Sequence, residues 1–240
     1  VLNMQTDTST KPIQMLDFDL GASSFPVTTS SPKAQQLFDL GLNWCFGFNQ
    51  EEGLACFKRA IECDPDCAML YWGAAYAAGP FYNMPWGDFC EEEATECTAF
   101  CHGMIESALH LSGRASPLEA ALIKALSRRV QAPNAVSMAT FDSWDDAYAN
   151  TMRDVYREYP ENLDVVALFI EAMMTRTPWR MWDVNTELPP RGADTLEAIE
   201  VCETAISQAD RRLVPQHFAI LHLHIHLLEM STTPERAIAS

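Results

Sequence analysis

Two histidines and a glutamate near the C-terminal end of the sequence share the spacing of one helical face. His222, His226 and Glu229 stand at positions i, i+4 and i+7. On a helix that turns about 100° per residue, these three side chains fall within an arc of about 60°. Two imidazoles and one carboxylate are the ligands of many catalytic zinc and non-haem iron sites, and they leave coordination positions open. The spacing therefore predicts a site for a divalent transition metal, either zinc, iron or copper.

The same residues also have a purely structural interpretation. Histidines clustered on one helix can line a polar groove and hydrogen-bond to nearby acids without any metal. His224 is rotated by about 200° from His222 on the predicted helix, so it should face a different part of the molecule. We expect His224 to pack against a neighbouring helix or to orient other groups.

A carboxylate in an apolar segment is the second candidate for chemistry. Glu171 lies within the run ALFIEAMM. An ionised carboxylate is costly in such surroundings unless it meets a cation or a metal. Glu171 is therefore a candidate catalytic residue, either as a base or as a further metal ligand. The alternative is an ion pair with Arg176 or Arg180.

Aromatic side chains are concentrated in two loops that follow predicted helices. One loop, FYNMPWGD, follows the helix at 68–78, and the other covers residues 178–192. If the predicted helices at 68–78 and 162–175 line one groove, the loops that follow them would meet above it and form the walls of a substrate or cofactor site. The candidate binding residues are Tyr82, Asn83, Trp86, Trp179 and Trp182. The alternative is that the tryptophans pack between structural repeats.

The eight cysteines lie mostly among apolar residues at helical spacing. Cys90, Cys97 and Cys101, followed by His102, could hold a soft metal, but structural zinc usually takes closely spaced pairs such as CxxC. No signal-peptide pattern precedes them. We therefore expect buried, reduced thiols and a cytoplasmic protein.

After the first 31 residues, the sequence has the spacing of paired antiparallel helices. Gly41 and Gly53 would let two helices approach closely, Leu37 and Phe57 would fill the seam, and Pro65 would end the second helix. A unit of about 34 residues built this way is typical of tetratricopeptide repeats.

The helical periodicity continues along the rest of the sequence. Further helices are predicted at 68–78, 91–111, 118–130, 143–159, 162–175, 195–208 and 215–230, and another should begin at Pro234. The expected fold class is all-α, a tetratricopeptide-like array of antiparallel helix pairs over residues 32–240, preceded by a flexible segment at 1–31. Because this array stops inside a repeat, we expect a partner chain or a second copy to complete it.

Three stretches carry a resemblance to a known family. They are residues 25–80, EAMMTRTPWRMW at 171–182 and HLHIHLLEMSTTPERA at 222–237. Together they closely resemble the N-terminal half of a family of tetratricopeptide-repeat proteins found in bacteria and fungi. The resemblance implies an all-helical repeat protein that continues with further repeats and another histidine-rich stretch. It implies no particular activity.

The charge balance narrows the classes of partner. The formal net charge is −17, and such an acidic surface repels nucleic acid phosphates and anionic lipid headgroups. No stretch approaches the roughly 18 uninterrupted apolar residues of a membrane-spanning helix. We therefore expect neither nucleic acid nor membrane as a partner.

Two hypotheses about function follow from these patterns. The first is a metal-dependent enzyme that acts on a small organic substrate in the concave groove of the repeat array. The alternative is a non-catalytic scaffold that binds a peptide or partner protein. Peptide-carboxylate clamps in such scaffolds need Lys or Arg on the groove helices, and the predicted helices at 68–78 and 215–230 have none. Their absence favours the first hypothesis.

Overall fold

The fold is built from α-helices throughout its described part. The computed structural model describes residues 20–21, 23–238 and 240 of the 240-residue chain. Within these residues there are nine α-helices and no β-strand. They are α1 (Pro32–Phe46), α2 (Gln50–Cys63), α3 (Ala68–Ala78), α4 (Glu91–Leu111), α5 (Pro117–Leu126), α6 (Met138–Glu158), α7 (Leu163–Met174), α8 (Thr195–Arg212) and α9 (Phe218–Leu228). The expected all-α fold class is confirmed.

Side-chain caps explain where several helices begin. The hydroxyl of Ser31 accepts a hydrogen bond from the first turn of α1, and the Asn162 side chain does the same for α7. Before α5, Ser116 and Glu119 bond each other's backbone N–H groups in a capping box. These bonds satisfy amides that have no partner inside the helix.

Three helices are apolar around most of their circumference and lie in the interior. They are α3, α7 and α9, whose sequences are AMLYWGAAYAA, LDVVALFIEAMM and FAILHLHIHLL. Helices α2, α6 and α8 alternate apolar and charged faces and bury one face only. A helix without a polar face is covered on most sides. Glu171 lies on the covered helix α7, whereas His222 and His226 lie on the side of α9 that stays partly exposed, next to Ile225 at 42% exposure.

The first three helices are held together closely around one phenylalanine. A Cβ atom added at Gly41 would lie 2.9 Å from the ring of Phe57, and one at Gly73 would lie 2.4 Å from it. A Cβ at Gly53 would lie 2.5 Å from Cys45 Sγ. The predicted close approach at Gly41 and Gly53 is confirmed, and Gly73 of α3 belongs to the same contact.

The packing order brings the two ends of the helical region together. Consecutive helices from α1 to α4 and from α5 to α9 contact each other in sequence. In addition, α1 packs against α3, α7 packs against α9, and α9 reaches the end of α1. The rings of His217 and Phe218 lie 5.6 Å and 6.0 Å from that of Phe46. The C-terminal end of α1 is therefore part of the surroundings of α9.

Some helix boundaries differ from those predicted. Helix α6 begins at Met138 rather than at residue 143, because Phe141 and Trp144 already bury their rings in its first turns. The expected α-helix at Pro234 is a single 3₁₀ turn, Pro234–Ala237. Helix α8 continues to Arg212, where Leu213 in the left-handed conformation ends it. The predicted bounds of α3 and α4 are confirmed.

The N-terminal segment lies partly outside the described residues, which begin at residue 20 and omit residue 22. Its described end crosses α1 and α5. Phe25 and Val27 are buried, and the backbone N–H of Thr28 donates to Glu119 Oε1 over 2.6 Å. The stretch from 23 to 31 is therefore anchored by apolar contacts and by a carboxylate of α5.

The cysteines are all free thiols. Six are buried, Cys63 is half-buried and Cys90 is exposed. Among the helices of the described ranges, none is long and apolar enough to cross a membrane.

Candidate functional site

Two imidazoles face each other on one side of α9. His222 and His226 are one helical turn apart, and their Nε2 atoms are 3.1 Å apart. The ring centroids are separated by 4.8 Å, with the rings nearly perpendicular. The i, i+4 spacing thus brings the two nitrogens to a single point, as the sequence predicted.

The opposite nitrogens of these rings are held by acceptors. His222 Nδ1 donates to the backbone oxygen of Phe46 over 2.8 Å, and His226 Nδ1 donates to Glu229 Oε1 over 2.9 Å. Phe46 is the last residue of α1, so its carbonyl has no acceptor role inside that helix. Because a carbonyl and a carboxylate only accept, each Nδ1 carries a hydrogen. The Nε2 atoms of both rings therefore carry lone pairs, and two such acceptors 3.1 Å apart require a proton or another cation that both can contact.

Glu229 lies behind His226 rather than beside the Nε2 pair. Its carboxylate accepts from Nδ1, which is the position that carboxylates commonly take behind metal-binding histidines. Among the described residues, no group of three or more His, Cys, Asp or Glu side chains is arranged to hold a metal ion. The described structure thus places two histidines at the point of convergence and uses the glutamate to orient one of them.

Aromatic rings from three loops cover the histidine pair. The Phe48 ring centroid lies 4.5 Å from that of His222 and 5.2 Å from that of His226. Tyr82 lies 5.5 Å from His226, and Trp179 stacks on Tyr82 at 5.0 Å. The loops after α1, α3 and α7 therefore meet at α9.

Two of these aromatic residues adopt strained backbone conformations. Phe48 has φ +60° and Trp179 has φ +58°. A left-handed conformation in a non-glycine residue costs on the order of 1–3 kcal/mol, and such residues are concentrated at functional sites. Both strained residues contribute rings to the cover over the histidines, so the strain coincides with the candidate site.

Burial shifts the pKa values of the titratable groups at this site. Burial lowers the pKa of His222, and neighbouring His226 lowers it further, against the opposing effects of the Phe46 carbonyl and Glu229. Burial likewise raises the pKa of Tyr82 to about 12, with a further increase from Glu229. At neutral pH the His222 imidazole is therefore uncharged, which is the form that can coordinate a metal, and Tyr82 is a neutral phenol.

The remaining predicted binding residues have different surroundings. Asn83 is exposed next to Tyr82. Trp86 is buried and stacks on Phe141 at 4.2 Å, away from the histidines. The indole N–H of Trp182 donates to the backbone oxygen of Leu227 over 2.7 Å, so this tryptophan satisfies the end of α9.

No protein family, curated protein or solved structure matches this chain. The assignment of function must therefore come from the geometry of the molecule.

Glu171 is buried at 3% exposure in a second polar cluster. Its Oε1 atom lies 3.4 Å from Arg129 Nη2, so the cation that meets it is Arg129 rather than Arg176 or Arg180. Arg176 instead bonds Asp146 and Asp194. Burial raises the pKa of Glu171, and the Arg129 charge opposes that rise. The surroundings of Glu171 are thus those of a buried ion pair.

The other two histidines of the cluster point away from the Nε2 pair. His224 is buried against α8, with Nδ1 2.7 Å from the Ser240 hydroxyl and Nε2 3.4 Å from Glu203. The prediction that it faces elsewhere is confirmed. His217 bonds Asp164 over 3.2 Å.

Sequence reasoning missed two contributors to these clusters and misinterpreted a third. Phe48 and Arg129 were not singled out, although Phe48 follows a helix end in the sequence CFGFNQ and Arg129 follows the apolar helix α5. The adjacent acids Asp145 and Asp146 have the pattern of solvated charges at a helix start, but α6 begins seven residues before Asp145, whose side chain is only 15% exposed. The sequence signal for Arg129 is that it follows an apolar run with no acidic residue nearby that could pair with its charge. The Phe46 carbonyl has no sequence signal, because any residue type supplies one.

Proposed function

We propose that this chain binds a divalent transition metal between His222 and His226. The observation that carries the proposal is the pair of Nε2 atoms 3.1 Å apart, each on a ring whose Nδ1 already has an acceptor. A metal ion satisfies both lone pairs at once, whereas the metal-free protein must keep a proton there. Neutral imidazole is the form that metals bind.

The distance between the two nitrogens suits adjacent positions in a coordination shell. With metal–nitrogen bonds of about 2.0–2.1 Å, a separation of 3.1 Å corresponds to an N–metal–N angle of about 100°. That angle lies between the octahedral and tetrahedral values, so zinc, iron and copper(II) all fit. Two protein ligands leave at least two positions for water or for a substrate, and Glu229 supports the site from behind His226.

Open coordination positions favour a catalytic role on a small organic substrate. A bound metal of this kind polarises a substrate oxygen or activates water. Trp179 stacks on the buried Tyr82 beside His226 and is 48% exposed, so its ring suits an apolar part of the substrate. Phe48 covers the pair and reduces the access of bulk water.

The helices that carry this site support a repeat architecture. Contacts of α1 with α3 and of α7 with α9 are those of equivalent helices in successive tetratricopeptide-like pairs. We propose that residues 32–240 form such an array, in a protein that works in the cytoplasm. The interior helices α3, α7 and α9 would then line its inner surface.

The proposal is tested by metal content. After reconstitution with zinc and removal of excess metal, wild-type protein should retain one zinc per chain by mass spectrometry. His222→Ala and His226→Ala should each reduce retained zinc to less than a tenth. His224→Ala is the matched control on the same helix and should keep full stoichiometry. A wild-type protein that retains no metal, or a His224 variant as deficient as the other two, would refute the proposal.

A second candidate function is a scaffold that holds a partner segment. The observation that favours it is exposed apolar surface on and beside α8, where Leu196 is 63% and Leu213 is 93% exposed. Leu196 and Leu213 lie at opposite ends of α8, so they would contact an extended partner segment that runs along this helix. This function is wrong if the protein stays a monodisperse monomer at high concentration and captures no partner segment. Stoichiometric zinc in the same protein would then support the metal-dependent function.

A further inference from the structure

A pocket of about 350 Å³ lies between α6 and the loops that follow α3 and α7. It is lined by two tryptophans, a methionine and several charged side chains, among them Trp86, Met138, Asp142, Asp145, Trp179 and Arg180. A volume of this size suits a small organic molecule. The pocket is separate from the Nε2 pair of the histidines, and two stacked rings, Trp179 and Tyr82, connect the two regions.

Beneath this pocket, one buried cation lies near the buried carboxylate of Glu171 and the carboxylate of Asp145, whose side chain is 15% exposed. Arg129 is 1% exposed, and its Nη2 atom lies 3.4 Å from Glu171 Oε1. Its Nε atom is 4.0 Å from Asp145 Oδ1, which is too long for a hydrogen bond. The opposite face of the guanidinium is covered by the Tyr148 ring, whose centroid is 4.8 Å away. Arg129 thus neutralises Glu171, and the charge of Asp145 is left over.

Several buried polar atoms of this cluster have no hydrogen-bond partner among the described residues. They are Asp145 Oδ1, Glu171 Oε2, Arg129 Nε and Nη1, the Tyr148 hydroxyl and Trp86 Nε1. Buried polar groups in folded proteins are almost always paired, with protein, water or a ligand. Two of these groups, on Asp145 and on the 2% exposed Trp86, belong to residues that line the pocket. The Trp86 indole N–H is directed at the Asp145 carboxylate, and a ligand in the pocket can reach the exposed part of that carboxylate.

The rest of the lining adds to the negative charge at the pocket. Arg176 is engaged with both Asp146 and Asp194, so one cation faces two carboxylates there. Asp88, Asp142 and Arg180 are exposed side chains of the lining, and together they add one further negative charge. The inner part of the pocket is thus electronegative and attracts a cation.

Aromatic side chains supply the apolar part of the lining. Trp86 is held in place by stacking on Phe141, and Trp179 contributes a ring that is 48% exposed. Tryptophan faces attract organic cations, and the attraction increases where water is excluded. We propose that this pocket binds a small organic ammonium ion, with its nitrogen at Asp145 and its carbon skeleton against Trp86 and Trp179.

The titration of Asp145 agrees with this geometry. Burial raises its pKa to about 7, and the neighbouring carboxylates Glu171 and Asp142 act in the same direction, whereas Arg129 and the Trp86 indole N–H oppose the rise. A bound ammonium ion would add the missing positive charge and favour the ionised form. Affinity for such a ligand should therefore fall as the pH is lowered from 8 to 6.

Calorimetric titration of the full chain with benzylammonium at pH 8 tests the proposal. Benzoate, which has the same ring and the opposite charge, is the matched probe. We expect one benzylammonium per chain and at least tenfold weaker binding of benzoate. Asp145→Asn should weaken benzylammonium binding at least tenfold. Asp154→Asn, the same change at a 75% exposed side chain of α6, should leave it unchanged.

Two further variants keep the test decisive. Trp179→Leu should weaken benzylammonium binding about threefold or more, and it replaces Asp145→Asn as the critical variant if that protein does not fold. Arg180→Gln should leave or slightly increase the affinity, since it removes a repelling charge. Equal binding of benzoate, no heat with benzylammonium at millimolar concentration, or unaltered affinity in the critical variant would overturn the proposal. None of these results depends on whether the histidine pair binds a metal.

Discussion

The histidine pair on α9 is partly exposed and the Arg129 cluster beneath α6 is largely buried, and the two regions differ in how their hydrogen-bonding groups are satisfied. At the histidine pair, each Nδ1 has an acceptor, and both Nε2 atoms meet at one point. In the Arg129 cluster, several polar atoms have no partner within the described residues, and negative charge exceeds positive charge.

This difference shows which ligand each region suits. Two oriented lone pairs 3.1 Å apart suit a small ion that accepts both, and the geometry is already set by Phe46 and Glu229. The second region has an uncompensated carboxylate at a pocket with aromatic walls, which suits a larger cation with a carbon skeleton. The first site is defined by the orientation of two imidazole rings, and the second is defined by an excess of negative over positive charge.

The largest effect is expected from Arg129→Met. This substitution leaves Glu171 and Asp145 buried without a cation, and breaking a buried ion pair from one side typically costs about 3–5 kcal/mol. We expect the free energy of unfolding in urea to fall by about that amount at pH 7. Arg157→Met is the control, because this exposed arginine pairs with an exposed aspartate, and it should have little effect.

A double variant separates the ion pair from simple packing. Arg129→Met combined with Glu171→Met removes both charges and should be at least 1 kcal/mol more stable than Arg129→Met alone. If the double variant loses as much unfolding free energy as the two single variants together, the charge imbalance described for this cluster is wrong.

The next effect concerns Asp145 and pH. The carboxyl pKa is 3.8 without the protein environment, and burial raises it to about 7 in the folded chain. The folded state therefore holds this proton more tightly, and stability falls as the pH rises from about 4 to about 7. Asp145→Asn should be about 1–2 kcal/mol more stable than wild type at pH 8. The gain should vanish near pH 4, as checked by urea unfolding at both pH values. A gain of equal size at pH 4 would contradict the assignment.

A smaller effect is expected at the other region, from Glu229→Gln. The amide oxygen can still accept from His226 Nδ1, but the negative charge is lost. Removing such outer groups typically weakens metal binding by about 10-fold or more. Zinc competition with a chelator should show a reduction of about that factor, with stoichiometry unchanged. A loss as complete as that in His226→Ala would instead identify Glu229 as a direct ligand.

The smallest effect tests the strain at Phe48. At an ordinary extended position Ala is more stabilising than Gly by about 0.4–1 kcal/mol, because Gly gives the unfolded chain more freedom. At φ +60° the order should be reversed, so Phe48→Gly should be about 1 kcal/mol more stable than Phe48→Ala in thermal unfolding. The opposite order would mean that Phe48 leaves this conformation readily and does not hold its ring over the histidines.

The sequence predicted most of the helices because local periodicity determines them. Helices α3 and α4 have the predicted bounds, and the close contact through Gly41 and Gly53 follows from their small size. The meeting of His222 and His226 was predictable for the same reason, since one helical turn separates them.

Contacts between distant segments were not predictable in this way. The Phe46 carbonyl lies 176 positions before His222 in the sequence, and Arg129 lies 42 positions before Glu171. Arg176 and Arg180 were the natural partners for Glu171 by proximity in sequence, but their loop turns away towards Asp146 and Asp194. The expected pattern of antiparallel helix pairs does not specify which side chains meet between them.

We propose above all that a metal lies between the imidazoles of His222 and His226. X-ray absorption spectroscopy of the zinc-loaded protein tests it most directly, because the outer-shell scattering of zinc counts bound imidazoles and the first shell distinguishes sulfur from nitrogen and oxygen. We expect two imidazoles, no sulfur, and nitrogen or oxygen ligands at about 2.0–2.1 Å that complete the shell. Sulfur at about 2.3 Å, or fewer than two imidazoles, would contradict the His222–His226 site.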